Sequence, residues 1–226
     1  MKLWKTAIMA MTLGLSANNA AADANLFHVS PKLALAQPCA DSGCAFTWTL
    51  ATRYGVALQF AEQRYGQRDL NWTLLGVDFA QLNAPQIFYA GIYDGRKDIV
   101  IQLTANAARD EKRALFQLAH EVIHTLSPIG PDASSSVLEE GIATYNSLDY
   151  VRYAGFKISP TYINAENYSD AYWTIVELEA KQPDFQARTA ALRKRYGSLS
   201  GLTAVQIQSA YPSIDPTLAS RLARNF

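Results

Sequence analysis

The chain has 226 residues, 49% of them hydrophobic and 18% charged. That is enough apolar material for one ordinary globular domain with a sizeable core, and too much for a disordered chain. Lys+Arg and Asp+Glu both number 20, so the formal charge is zero, and with no basic excess and no run of like charges the charge pattern points away from a nucleic-acid partner.

The first residues read as an export signal. Lys2 and Lys5 give a positive start, Thr6 to Leu15 form an apolar stretch, and Ala20-Ala21-Ala22 offers a small-x-small cleavage site before Asp23. The apolar stretch is too short to span a bilayer comfortably, and no Cys stands at its end to carry a lipid. The expectation is therefore a signal peptide over residues 1–22 and a single exported domain over 23–226, periplasmic or extracellular, with no stable membrane anchor. Cleavage removes two lysines and no acid, leaving the mature chain at −2. Cys39 and Cys44 are the only cysteines. In an exported protein so close a pair reads as a local disulfide, contributing roughly 2 kcal/mol in the chain-entropy model. Neither a second Cys pair nor C-x-x-C spacing is present to suggest a structural zinc or redox role.

Residues 23–47 carry Pro31, Pro38, Gly43 and both cysteines and read as loop-rich. From Thr47 to about Gly66, Leu50, Tyr54, Ala57, Leu58 and Ala61 recur at helical spacing. Trp72 to Phe79 reads as a strand. Ile87–Tyr93 and Ile99–Leu103 are rich in β-forming residues, and Asp94-Gly95 between them predicts a hairpin turn. The period then becomes helical: Leu115, Leu118, Ala119, Val122, Ile123 and Leu126 make one stripe between about Ala107 and Leu126. Pro128 and the Gly130-Pro131 pair end it. Ser136 and Glu139 match a capping box opening a second helix to about Leu148. Further helices are predicted over Ser169–Ala180, Phe185–Tyr196 and Pro216–Ala223. Strands first and helices later make an α+β domain, with an α/β part over 23–126 and a helical part over 127–226.

The decisive stretch is His120-Glu121-Val122-Ile123-His124. On a helix, residues four apart lie on one face, one turn above the other, so both imidazoles can hold one small cation. Glu121 is displaced by about 100° around the helix and can reach a water on that cation without being a ligand. Zinc lowers the pKa of such a water to about 7, and a carboxylate then takes its proton. The chain has only three histidines, and a His pair four apart with Glu after the first arises in roughly one shuffled sequence in a thousand. A hydrolytic zinc site needs three protein ligands and an open position. No His follows His124, which excludes the metzincin pattern. A carboxylate from the next helix, at Glu139 or Glu140, can complete the set.

This stretch, with the downstream Glu140-Gly141-Ile142-Ala143-Thr144-Tyr145, resembles the gluzincin zinc metallopeptidases. Their H-E-x-x-H helix is followed by an E-G-x-A-[TS]-Y helix, as in aminopeptidase N-like enzymes and the small secreted minigluzincins. The resemblance covers about residues 86–180 and implies a zincin-like fold. It also implies one Zn2+ per chain on His120, His124 and Glu140, with Glu121 as catalytic base. Glu139 is then left to the capping box. Gly141 removes a side chain where two helices approach closely, and Thr144, one turn after Glu140, is placed to support the metal shell. Tyr168-Ser169-Asp170-Ala171 resembles the Y-S-x-G/A segment whose Tyr donates to the oxyanion, which implies that role for Tyr168, with Tyr172 as the alternative. Phe88–Tyr93, centred on Ala90 and Gly91, resembles the gluzincin edge strand that pairs with an extended substrate. The partner expected is thus a peptide or protein substrate. No G-x-M-E-N-like segment precedes the motif to hold a free amino terminus, so endopeptidase action is preferred. An aminopeptidase-type exopeptidase and a non-catalytic zinc-binding exported protein are the alternatives.

Overall fold

The structure is a computed structural model and describes residues 46–226. The expected export signal and the Cys39–Cys44 pair lie outside the described residues.

Helix α1 (Phe46–Tyr65) turns Leu50, Tyr54, Ala57, Leu58, Ala61 and Tyr65 into the core, following the spacing read from the sequence. Gly66, at φ 84°, ends it in the left-handed region that favours glycine. Three strands follow: β1 (Trp72–Ala80), β2 (Gln86–Tyr93) and β3 (Arg96–Thr104). The last is central, parallel to β1 and antiparallel to β2. Asp94 (φ 50°) and Gly95 (φ 76°) turn the β2–β3 hairpin, and both positive angles suit a tight two-residue turn. Because that turn takes only two residues, β3 begins three residues before the expected Ile99. Its Ile99, Ile101 and Leu103 are fully buried and alternate with less buried neighbours. The register shifts after Leu74 and after Tyr89, which makes Leu75 and Ala90 the extra residues of two bulges.

A 3₁₀ turn over Ala105–Arg109 occupies the expected start of the helix that carries His120 and His124. The α-helix itself, α2 (Glu111–Leu126), begins later because Asp110 takes extended backbone and its carboxylate accepts the Arg113 N–H at 3.0 Å. Helix α3 (Val137–Tyr153) runs five residues beyond the expected Leu148. Tyr150 and Val151 continue its buried face, and Gly155 at φ 90° follows its end. Helix α4 (Glu166–Lys181) opens three residues before the expected Ser169, so Tyr168 lies in its first turn. Helices α5 (Phe185–Tyr196), α6 (Ala204–Ala210) and α7 (Pro216–Ala223) close the described chain. The short α6 escaped the periodicity argument, although the Thr203–Gln206 capping box that opens it is visible in the sequence.

The observed class is therefore α+β, a small mixed sheet followed by a mainly helical half. Residues from β1, β3 and every α-helix share one buried apolar cluster, and the partly buried Ile87 and Tyr89 of β2 pack against it. Among the described residues, no helix is long and apolar enough to cross a membrane.

Two contacts set the helix positions. A Cβ at Gly141 of α3 would lie 2.6 Å from the Ala171 carbonyl oxygen and 2.6 Å from Ile175 Cγ1. Both belong to α4, so Gly141 is where α3 and α4 touch backbone to backbone, as the sequence led us to expect. From α5, the buried Arg193 donates through Nη1 to the carbonyls of Tyr65 (2.6 Å) and Gly66 (2.9 Å). Through Nη2 it reaches those of Gln67 (3.2 Å) and Leu126 (2.6 Å). One guanidinium thus donates to the carboxyl-terminal carbonyls of both α1 and α2, end groups with no partner inside their own helix; the Leu126 carbonyl also accepts the Asp69 N–H at 2.8 Å.

Candidate metal centre

The α2 helix supplies His120, Glu121 and His124, and α3 supplies Glu139 and Glu140. Several contacts fix α2 against its neighbours at this level. The Ala119 carbonyl, one residue before His120, accepts from Asn146 Nδ2 at 2.9 Å. One residue after His124, Thr125 receives the Tyr54 hydroxyl at 3.1 Å and donates to the Val122 carbonyl at 2.8 Å. The helix faces that meet here are largely apolar, so the polar site is held inside a packed frame.

His120 Nε2 lies 3.0 Å from Glu140 Oε2, and His124 Nε2 lies 3.5 Å from Glu140 Oε1. One ligand atom from each of His120, His124 and Glu140 falls within 4.8 Å of the others. Among the described residues this is the set of three potential ligands that converges in this way. His120 and Glu140 are 5% and 7% exposed, so the set is sheltered yet open to a cleft. Two neutral imidazoles and one carboxylate on adjacent helices fit a divalent cation with a position left for a non-protein ligand.

Glu139 is also part of the site. Its Oε1 lies 2.8 Å from His124 Nδ1. A carboxylate only accepts, so the imidazole proton belongs on Nδ1, which leaves Nε2 free to ligate a cation. This corrects the capping-box expectation. Ser136 does cap the helix, its Oγ accepting the Glu139 N–H at 3.3 Å. The reciprocal bond is absent: the Ser136 N–H goes to Ser200 Oγ at 3.2 Å, and that hydroxyl donates to Glu139 Oε2. Adjacent glutamates at a helix start could not be told apart by spacing alone. The remote Ser200 had no signal at all.

Electrostatics follow from crowding two histidines and three glutamates in one sheltered space. Burial works against a charge on His124, but Glu140 and Glu139 outweigh it and hold its pKa well above 6.5. Burial likewise opposes the Glu140 charge, and His124 and His120 overcome it, keeping that carboxylate well below its ordinary 4.5. Glu121, only 2% exposed, is pushed the other way. Burial raises it above 4.5 against the pull of His124 and His120.

The remaining expected residues divide. Tyr168 reaches the site: its ring packs edge-on to His120 at 5.4 Å, and Phe226 packs on it at 4.8 Å. Burial, with Glu140 and Glu121 nearby, raises its pKa and keeps its proton in place as a donor. Tyr172 does not reach the site; it stacks on Tyr145 at 6.0 Å and is absent from the cleft lining. Thr144 is one turn from Glu140, as expected, but its hydroxyl donates to the Glu140 backbone carbonyl at 2.8 Å rather than to the carboxylate.

The cleft over the three ligands has a volume of about 410 Å³ and is walled on one side by residues 85–89. Ala90 and Gly91 lie beyond it: Ala90 is the bulged residue, and a Cβ at Gly91 would strike the Tyr93 ring at 2.5 Å. The strand segment beside the metal centre is therefore Pro85–Tyr89, one bulge earlier than the sequence resemblance implied. Among the described residues, strand β2 pairs only with β3, and its other edge has no strand partner. Tyr89 ties that strand to the loop between the ligand helices, its hydroxyl accepting the Gly130 N–H at 2.9 Å. The chain matched no family model, no curated protein and no solved structure.

Proposed function

We propose that this chain is an exported zinc endopeptidase of the gluzincin type, built on a zincin-like fold. The observation that carries the reading is the convergence of His120, His124 and Glu140 within 4.8 Å, with Glu121 buried beside them in the same cleft. Zinc is the cation we assign because two imidazoles and one carboxylate form a common catalytic set for it. When bound, zinc supplies Lewis-acid polarisation of a carbonyl and acidification of a water.

The chain's own residues do the rest. Glu121 takes the proton of the attacking water and returns it to the leaving amine. Its burial-raised pKa brings its proton affinity closer to what a base working at neutral pH needs. The Tyr168 hydroxyl, kept protonated, donates to the oxygen on which negative charge develops. Glu139 keeps the His124 ring and its tautomer in place. An extended peptide lies along the open edge of β2 over residues 85–89 and pairs through backbone hydrogen bonds.

Endopeptidase action is favoured over release of amino-terminal residues by the cleft's own carboxylates. Those lining it are Glu121, Glu139 and Glu140. Each already has a role, and among the described residues no further acid lines the cleft to hold a substrate ammonium.

Two measurements on the purified protein test the reading. Metal analysis is expected to find about one zinc per chain, and a mixed peptide library is expected to be cut at internal bonds. Glu121→Gln should retain the zinc and lose the cleavage. A Glu121→Gln protein as active as the parent removes the mechanism, and a zinc-loaded parent inert toward the whole library removes the peptidase.

A further inference from the structure

The cleft continues past the metal centre. Pro85, His120 and Tyr168 line it, and the same three residues line a second cavity of about 430 Å³. The far walls of that cavity come from the first half of α2, through Arg113, Phe116 and Gln117, and from the segment around Tyr162.

The two cavities have opposite charge. Among the described residues, the first is lined by three carboxylates and by no Lys or Arg. Among the described residues, the second is lined by Arg113 and by no Asp or Glu. Beside Arg113, the Phe116 and Tyr162 rings meet at 5.4 Å to form an apolar wall, and the Tyr162 hydroxyl faces the guanidinium. Lys112 Nζ, 5.1 Å from the centroid of the Tyr162 ring, adds a second positive charge to this end. Gln117 is a fixed wall, engaged with the backbone N–H and hydroxyl of Thr104 at 3.0 and 2.7 Å. Asp110 stands 3.7 Å from Arg113 Nε, with its other oxygen taken by the α2 cap. It does not line the cavity. Both partners of that pair are about two-fifths exposed, so it is a weak contact.

We propose that this second cavity is a specificity pocket for a carboxylate that the substrate carries next to the cleaved bond. A guanidinium fork matches a carboxylate in geometry and charge, and the aromatic wall accepts the aliphatic stem that bears it. The proposal rests on the peptidase reading. The carboxylate has two possible sources, an Asp or Glu side chain flanking the bond or the free carboxyl end of a short substrate.

The test uses the zinc-loaded full chain and matched peptides. In one set, Glu or Gln stands on each side of the cleaved bond in turn, with the carboxyl end amidated. In the other, a peptide ending one residue past the bond carries a free or an amidated end. We expect a preference of about tenfold in kcat/KM for the carboxylate in one set, and the set that shows it names the source. In Arg113→Met, whose unbranched stem still covers the wall, that ratio should fall to near one, and Arg113→Lys should keep part of it. Equal rates in both sets, or a preference that survives Arg113→Met, overturns the pocket. Binding of the same peptides to Glu121→Gln, followed by calorimetry, separates the two claims. If nothing is cleaved but the carboxylate peptide binds more tightly in an Arg113-dependent way, the peptidase falls and the carboxylate site stands. Equal binding of the two peptides removes the carboxylate site.

Discussion

His124 Nδ1 lies 2.8 Å from Glu139 Oε1, so the residue immediately before the proposed third ligand orients the second. Glu139 in turn is held by Ser200 from the stretch after α5. Removing that carboxylate leaves the three ligands intact but frees the imidazole to rotate and to change tautomer. Glu139→Gln should therefore weaken zinc binding about 10- to 100-fold with little change in the folded spectrum. Competition against a chelator of known affinity measures this, and an affinity equal to the parent's would exclude the orienting role.

Stability should respond to pH in opposite senses without and with metal. In the metal-free protein the raised His124 contributes stability that is complete below its ordinary 6.5 and is lost as pH rises through its folded value. The depressed Glu140 contributes stability that is present above its ordinary 4.5 and is lost as pH falls through its folded value. The metal-free site is thus most favourable between those two ordinary values and weakens toward alkaline pH. Zinc needs the imidazoles deprotonated, so the rise in melting temperature that it produces should grow from pH 5.5 to 7.5. Melting curves with and without zinc across that range provide the check, and an increment independent of pH contradicts the ligand set.

Tyr168 is placed to donate to a developing oxyanion, not to hold the metal. Tyr168→Phe keeps the ring contacts with His120 and Phe226 and loses only the hydroxyl. It should lower kcat by about 100-fold with zinc content unchanged and KM close to the parent's. A drop confined to KM would assign the hydroxyl to ground-state binding instead.

Gly141→Ala tests the helix contact that brings Tyr168 to the site. The new methyl would sit 2.6 Å from the Ala171 carbonyl oxygen, which is backbone and cannot swing aside. Forcing α4 off α3 should cost about 1–3 kcal/mol, seen as a lower urea midpoint. All the proposed ligands stand on α2 and α3, so zinc binding should persist while kcat falls with the displaced Tyr168. An unchanged midpoint would show that the two helices part without strain.

Much of this was legible from periodicity and punctuation. The α1 stripe, the Asp94-Gly95 turn and the His120–His124 spacing are local signals, and local physics set them. Element ends were less legible because partners elsewhere decide them. Tyr150 and Val151 extend α3 because the core covers them, and Asp110 delays α2 because its carboxylate caps the helix there. The candidate site divides in the same way. His120, Glu121 and His124 are readable from one turn of helix, whereas the pairing of Glu139 with His124 and the packing of Phe226 on Tyr168 join residues far apart in the chain. The β2 bulge shifted the strand segment at the cleft from Ala90-Gly91 to Pro85–Tyr89. Nothing in the alternation of that strand marks where an extra residue falls.

Arg193 bears on how far this protein can be shortened. All the ligands precede residue 141, and a minimal fragment of the sheet and the two ligand helices looks sufficient on paper. Such a fragment would lack the guanidinium that four carbonyls at the ends of α1 and α2 share, one of them only two residues past His124. Those carbonyls would lose that donor, Leu126 keeping only the Asp69 N–H, and the last turn of the ligand helix would fray more readily. Miniaturisation by trimming the helical half should therefore yield a chain that grips zinc poorly, and redesign is better begun on the exposed loops.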